Sequence, residues 1–425
     1  MGTIVLPAAM VLGEQVVDRA FSRMGGMFGL WIPGVGNAVM LRDPALIRQV
    51  MLAPADVIDD YEVNRVQSPV IGRQGLAVLD RAQNRCLRQI MTPALRPEAL
   101  LRLRELTALR AQRLVDECPV GTPFALGPRL RTAMMETILT LIIGEDRSPA
   151  FGEWIRVTTR MFQRAVSAEI TVRYMLRHVG GLALWPSFRR SMDVCDRLIY
   201  TEIDRRRHRG EDRDDLLGVL MRARDDRGAQ LTDQALRDQV MSIIAGARTT
   251  AATGIAWAFE RVVRHPEVLR RLTAESDAAA QDVYAGAVSY EALRVRPPVA
   301  FFGRKAQRPF ELGGRLLRPG TAITIHLRAL HHDPGLYPDP TAFRPERWLS
   351  KRPGGYGWMP FGGGQRTCIG DRLTLMLMKT FLHVFTRSAV LSPAEPRDEP
   401  IKWRAISNLP GHDCRIVVCP RTTAP

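Results

Sequence analysis

A chain of 425 residues with 60 Lys and Arg against 44 Asp and Glu carries a net charge of +16, and only four of its cations are lysines. A basic balance is one mark of nucleic-acid binding, but here the cations are spread along the chain without interleaved aromatics or a nucleic-acid motif, which argues against that class. The six cysteines (Cys86, Cys118, Cys195, Cys368, Cys414, Cys419) have no C-x-x-C spacing, so neither a zinc site nor a disulfide framework is indicated, and a reducing cytoplasm fits best.

In chain order, Ile4 to Leu12 is an apolar run broken by Pro7 and followed by Glu14, Asp18 and Arg19. It is too short to span a bilayer and lacks a charged leader, so no membrane span is expected. Leu30 to Ile32 and Ala38 to Leu41, around Pro33-Gly34, predict a strand pair; Asp43-Pro44 then opens a helix, with Asp43 as cap. Helical patterns dominate from Gln83 to Tyr290. Within them, Arg205-Arg206-Arg207-His208-Arg209 before Gly210 predicts a solvated helix end. Asp233 to Arg264 predicts one helix of about 48 Å, capped by Thr232 and ended by Pro266. Phe310 to Leu317 alternates around Gly313-Gly314 as a hairpin, and Thr321 to His326 reads as a strand. His331-His332 before Asp333-Pro334 predicts a turn without metal-ligand spacing. Lys402 to Ile406 and Arg415 to Cys419 predict a last strand pair flanking turn residues Asn408 to Gly411. No repeat, low-complexity tract or linker interrupts the chain, so a single domain over 1–425 is expected, mainly α with a minor β-sheet region.

The segment Phe361 to Gly370, FGGGQRTCIG, places one cysteine in a glycine-rich loop that runs straight into an apolar helix. Backbone N–H groups at a helix start, with nearby cations, favour the thiolate that binds metals. Gly362, Gly363 and Gly364 leave room for a flat ligand, and Phe361 can pack beside the sulfur. The residue types alone also allow a structural cysteine in a glycine loop. The pattern Phe-x-x-Gly-x-Arg-x-Cys-x-Gly, filled at every fixed position, resembles the haem-binding signature of the cytochrome P450 family. That resemblance implies haem b ligated by Cys368, with Phe361, Gly362 and Gly370 against it.

Three further segments extend the resemblance. Glu291-Ala292-Leu293-Arg294 puts a Glu and an Arg on one helix face, and Phe343-Arg344-Pro345-Glu346-Arg347-Trp348 follows before the cysteine loop; by resemblance Arg347 joins Glu291 and Arg294 in a structural triad. Arg366, Arg304 and Arg88 match family positions for the haem propionates. Asn84 stands where the family usually has His or Trp, and its amide is a weaker, neutral donor.

Ala245-Gly246-Ala247-Arg248-Thr249-Thr250 lies at the middle of the long predicted helix. Gly246 lets the backbone approach a ligand, and threonines that bond back to carbonyls can open a helix. The segment resembles the family's oxygen-activation motif, which implies that Ala245 borders the haem and that Thr249 helps deliver protons. Arg248 occupies the place of the expected acid, and a guanidinium cannot relay protons. Three readings stay open: Arg248 turns outward into a salt bridge; it anchors a substrate carboxylate, as in the family's fatty-acid peroxygenases, which have proline where Thr249 stands; or oxygen activation is impaired.

The resemblance thus implies a soluble, cytoplasmic, monomeric haem-thiolate monooxygenase of cytochrome P450-like fold, acting on a hydrophobic small molecule. Since no flavin or nicotinamide fingerprint is present, electrons from NAD(P)H are expected through a separate ferredoxin or flavodoxin and its reductase. The alternatives are a peroxide-driven oxygenase using Arg248 and a non-catalytic haem-binding protein. By position, the pocket is expected to be lined by Gln67 to Gly75, parts of Thr158 to Met175, Ala245, Val299 to Phe301 and Ile406 to Leu409.

Overall fold

The computed structural model describes residues 14–32, 36–59, 64–145, 149–165, 186–224, 228–278, 281–404 and 407–421. They fall into two compact units. One is formed by residues 1–63, 107–130 and 250–425, the other by 64–106 and 131–249.

The first unit carries the sheets. After helix α1 (Glu14–Met24), β1 (Met27–Ile32) and β2 (Gly36–Leu41) pair antiparallel as predicted, with Met27 opposite Leu41; the turn between them lies outside the described residues. With β3 (Ile58–Asp59), β5 (Phe301–Ala306) and β8 (Ala322–His326) they make a five-stranded sheet of order β1-β2-β8-β5-β3. Strand β8 is buried at every position, as a central strand covered on both faces must be. Asp43 caps α2 (Pro44–Leu52) by accepting from the amides of Ala45 at 2.8 Å and Leu46 at 3.0 Å. One apolar cluster joins Leu41, Ile47, Ile58 and Ile325 to Leu330 and Met359. Gly313 and Gly314, at φ 58° and 72°, turn β6 (Phe310–Leu312) into β7 (Arg315–Leu317) through the left-handed region that a tight hairpin needs.

The expected last strand pair is corrected. Strand β10 (Ile401–Arg404) pairs with β11 (Ser407–Pro410), whereas β12 (Arg415–Pro420) joins β9 (Ala389–Pro393) and β4 (Phe124–Ala125). Asn408 is strand because its backbone is engaged by buried partners: its amide donates to Pro298 O at 2.8 Å, and its carbonyl accepts from Trp257 Nε1 at 2.7 Å. The chain reverses later, where the Glu399 carboxylate accepts from the amides of His412, Cys414 and Arg415 and holds Asp413 and Cys414 at φ 60° and 58°.

The second unit is helical in its described residues. It contains α3 (Arg81–Met91), α6 (Pro149–Ala165), α7 (Pro186–Arg209) and α8 (Leu216–Arg222); the unit boundary falls inside α4 (Pro97–Asp116), α5 (Leu126–Ile143) and α9 (Asp233–Val262). The end of α7 lies where the arginine run predicts, but it is not wholly solvated. Arg206 is buried, bridging Glu202 and Asp215 at 2.6 Å each and donating to Ile143 O at 3.0 Å. Three converging acceptors compensate the loss of water around its charge.

Helix α9 spans 30 residues, about 45 Å. The Thr232 hydroxyl caps it, accepting from Ala235 N at 3.2 Å. It stops at Val262, two residues short of the expected end, and Pro266 opens α10 (Pro266–Asp277). Its residues are buried from Ala235 to Ser242 and from Ala251 onward, but between them Gly246 is exposed. Among the described residues no helix is long and apolar enough to cross a membrane.

Candidate active site

The cysteine loop is built in the first unit. Gly362 and Gly364 take φ 73° and 69°, the left-handed region, and fold Met359 to Cys368 into successive turns. Gly362 N donates to Met359 O at 2.9 Å, and Cys368 N donates to Phe361 O at 2.8 Å. Cys368 then leads into α13 (Asp371–Ser388). A Cβ on Gly370 would lie 3.9 Å from the Cys368 sulfur. Gly362 faces open space, with nothing within 4 Å of an added Cβ, whereas Gly363 is closed off by Met359, whose Cε would lie 2.5 Å from one.

Cys368 is the one exposed cysteine of the six. Burial pushes the thiols of Cys118 and Cys195 up to about 11 and about 12, and that of Cys414 well above the usual range, which keeps them protonated and poor ligands. An exposed sulfur beside an open glycine face fits haem, whose iron takes a thiolate. Of the expected propionate partners, Arg304 is brought to this loop through Met51: its Nη2 contacts the Met51 sulfur at 3.6 Å, and Met51 O lies 3.4 Å from an added Cβ on Gly364. Arg366 is on the loop itself, in a short 3₁₀ turn over Gly364–Arg366. The Phe361 ring packs edge-on against Trp358, with centroids 5.9 Å apart.

A buried network is built around Glu291. Glu291 and Arg294, on α11 (Val283–Val295), pair through two bonds of 2.8 and 2.9 Å with both side chains fully buried. Arg347 Nε at 3.1 Å and Trp348 Nε1 at 2.8 Å donate to the same carboxylate. Arg294 also donates to the carbonyls of His331, Pro340 and Ala342. The triad expected from the sequence is therefore present, and Trp348 and three carbonyls extend it.

The remaining candidates lie in the second unit. Ala245, Arg248 and Thr249 stand on α9 around the exposed Gly246, where an added Cβ would meet nothing within 4 Å. Asn84 and Arg88 stand on α3. Asn84 is buried, and its Nδ2 donates to Leu76 O at 2.7 Å while Leu76 N donates to Gln239 Oε1 of α9 at 2.9 Å. Asn84 thus ties α3 to α9 through Leu76, leaving one of its amide hydrogens for any other acceptor. Asp238 adds a second tie by accepting from Gln74 N at 2.9 Å. Gly72 must be glycine: its φ is 77°, and a Cβ would lie 2.0 Å from that carboxylate.

Arg248 does not turn outward. It is buried, with its guanidinium carbon 5.4 Å from the centroid of the Phe162 ring of α6. An aromatic face one helix away takes the place of the solvent expected for that side chain. Of the expected pocket segments, 166–175 and Ile406 lie outside the described residues. Val299 and Ser407, in the first unit, meet as a β-bridge.

Sequence reasoning passed over Met51 and Met359 and read His331 only as part of a turn. A lone methionine or histidine carries no spacing that marks it.

The cytochrome P450 family model matches residues 11–410. A Mycobacterium tuberculosis protein named as cytochrome P450 137 is 32% identical over 406 residues, covering 95% of this chain and 85% of that protein. One from Mycobacterium bovis named as cytochrome P450 135B1 is 31% identical over 413 residues, covering 96% and 87%. Among solved structures, the cytochrome P450DA heme domain superposes with a TM-score of 0.83 at 20% identity, covering 98% of this chain and 94% of that one. The retinoic acid-bound cyanobacterial CYP120A1 also gives 0.83, at 19% identity and 98% coverage of both. Members of the matched family are oxidoreductases that hold haem through a cysteine thiolate and use electrons from NAD(P)H delivered by redox partners. With its cysteine loop, its buried Glu-Arg-Arg network and a family match over nearly its whole length, the chain belongs to the cytochrome P450 family.

Proposed function

We propose that this haem-thiolate monooxygenase inserts one oxygen atom of O2 into a hydrophobic small molecule, with Cys368 as the thiolate ligand and electrons arriving from a separate ferredoxin or flavodoxin and its reductase. The observation that carries the reading is the exposed Cys368, with its amide fixed on Phe361 O beside the open face of Gly362. Haem bound there supplies the oxygen-activating chemistry. The chain's own residues position and protect: Arg366 and Arg304 offer cations to the propionates, Arg88 and the remaining amide hydrogen of Asn84 offer further donors, and the Thr249 hydroxyl holds a proton for delivery. Ala245 and Gly246 leave a small-residue face on α9 against which a flat ligand can lie.

A second reading is favoured by one observation. Arg248 is buried rather than solvated, and a desolvated guanidinium binds a carboxylate strongly. In that case a carboxylic acid would be the substrate, and hydrogen peroxide would serve in place of O2 and electrons. Both readings are tested by measuring product per NAD(P)H consumed with a reconstituted redox chain, beside a peroxide-only assay, over a panel of neutral and carboxylate-bearing apolar compounds. Coupled turnover of neutral compounds supports the first, peroxide turnover restricted to acids supports the second, and haem binding without turnover in either assay contradicts both.

A further inference from the structure

His331 is the last residue of a short helix, α12 (Leu327–His331), and is fully buried. Its two ends face two different parts of the molecule. Its carbonyl accepts from Arg294 Nη1 at 2.8 Å, and its ring Nε2 accepts from the backbone amide of Met359 at 2.9 Å. Met359 is where the cysteine loop begins: its carbonyl accepts from Gly362 N at 2.9 Å, and its side chain lies under Gly363. Six residues on from Gly362, Cys368 N is held by Phe361 O at 2.8 Å.

The ring has one workable state here. An amide N–H can be accepted only by an unprotonated nitrogen, so the ring hydrogen must sit on Nδ1. Burial, reinforced by the Arg294 charge, holds the His331 pKa well below 6.5, so the ring stays an acceptor. Nδ1 is itself buried with no hydrogen-bond partner. A side chain present only to fill volume would be apolar at this place, since Leu330 and Met359 belong to one apolar cluster. The acceptor at Nε2 is what distinguishes histidine from such a side chain.

We propose that His331 is a positioning residue for the cysteine ligand: through Met359 N it fastens the start of the Met359 to Cys368 loop to the Glu291, Arg294 and Arg347 network. The inference rests on the reading of Cys368 as the haem ligand for its spectroscopic consequence, but its structural part concerns the chain alone. In apolar surroundings the bond is strong and directional, so its loss frees the loop and lets the sulfur leave the geometry that keeps it a thiolate ligand.

The test compares wild type, His331→Leu and His331→Gln, the last retaining an acceptor oxygen. Hydrogen exchange by mass spectrometry on the haem-loaded and haem-free proteins reads the loop directly, and the reduced carbon monoxide complex reads the ligand. In His331→Leu, we expect the amides of Met359, Phe361 and Gly362 to exchange at least tenfold faster while α9 keeps its protection, and part of the Soret band to lose the red shift of thiolate ligation. His331→Gln should recover both. If the leucine variant folds with wild-type exchange at Met359, Phe361 and Gly362, or loses protection equally throughout, or if glutamine restores neither signal, the proposal is overturned. A wild type without the red-shifted band would instead remove the reading of Cys368, while the exchange result would still decide the role of His331.

Discussion

Arg248 lies with its guanidinium carbon 5.4 Å from the centroid of the Phe162 ring, and only 6% of it is exposed. A cation over an aromatic face gains about 2 kcal/mol once water is excluded. Phe162→Leu keeps the apolar bulk and removes the quadrupole, so it should lower unfolding stability by about 1–2 kcal/mol. Denaturant unfolding of Phe162→Leu, Arg248→Ala and the double variant measures the coupling, and strict additivity would contradict the contact.

The neighbouring Thr249 makes a separate prediction. Thr249→Ala should uncouple NAD(P)H consumption from product formation, because it removes the hydroxyl to which the proposed function assigns proton delivery. Arg248→Ala should leave coupling with neutral substrates little changed, yet weaken any carboxylate substrate by about 1.5–3 kcal/mol, the worth of a charged hydrogen bond. Unchanged coupling in Thr249→Ala would count against its role.

Glu291→Gln should cost about 3–5 kcal/mol, because it leaves the fully buried Arg294 without its counter-charge. Loss of the bonds to Arg347 and Trp348 adds to this and should lower haem retention. Equilibrium unfolding and haem content measure both, and wild-type values would contradict the bracing role.

Acid should destabilise this protein early. Burial, and next the Arg328 charge, hold His326 and His332 at about 3 instead of 6.5, and burial with Arg294 holds His331 well below 6.5. The unfolded chain binds these protons first, so the stability is fully present above pH 6.5 and is lost as pH falls toward 3. Each histidine contributes a slope of up to about 1.4 kcal/mol per pH unit. Glu260 acts in the same sense lower down: burial, which would raise its carboxyl, is outweighed by the Arg261 and Arg264 guanidiniums and the Glu399 amide, so its contribution is lost only below about 4.5. Urea unfolding from pH 8 to 5 checks this, with His332→Gln expected to reduce the slope by about one proton. A flat profile would contradict it.

The cysteine loop and the Glu291-Arg294 pair were legible in the sequence because their chemistry needs particular residue types at fixed short spacings, whereas Arg347, far along the chain, was reached only through the family resemblance. Arg206 was not. Three other arginines stand in the same run, and what buries this one is Asp215 and Ile143 O, which only the folded chain brings near. The partner of β12 was missed for a similar reason, since Arg415 to Cys419 alternates equally well against a neighbour or against the distant β9. Arg248 shows the remaining limit: its type and place were readable, but its direction depends on Phe162, far earlier in the chain.

Electron delivery should depend on charge. By the family resemblance Arg81, Arg85, Arg372 and Lys379 are the cations expected to meet a redox partner; Arg85 on α3 and Arg372 on α13 are exposed, whereas Lys379 is already paired with Asp282 at 3.0 Å. With an acidic ferredoxin or flavodoxin, reduction should slow as salt rises, since fields are screened over about 8 Å at physiological ionic strength. Arg85→Glu and Arg372→Glu should slow it further, and Lys379→Gln less. A rate indifferent to salt and to both reversals would exclude such steering.

The central claim is that Cys368 binds the haem iron as a thiolate. The most direct measurement is the absorption spectrum of the reduced, carbon monoxide-treated protein, for wild type and Cys368→Ala side by side. Wild type should show the red-shifted Soret band of thiolate ligation and the variant should lack it, whether or not haem stays bound. A red-shifted band that survives in Cys368→Ala would contradict the assignment.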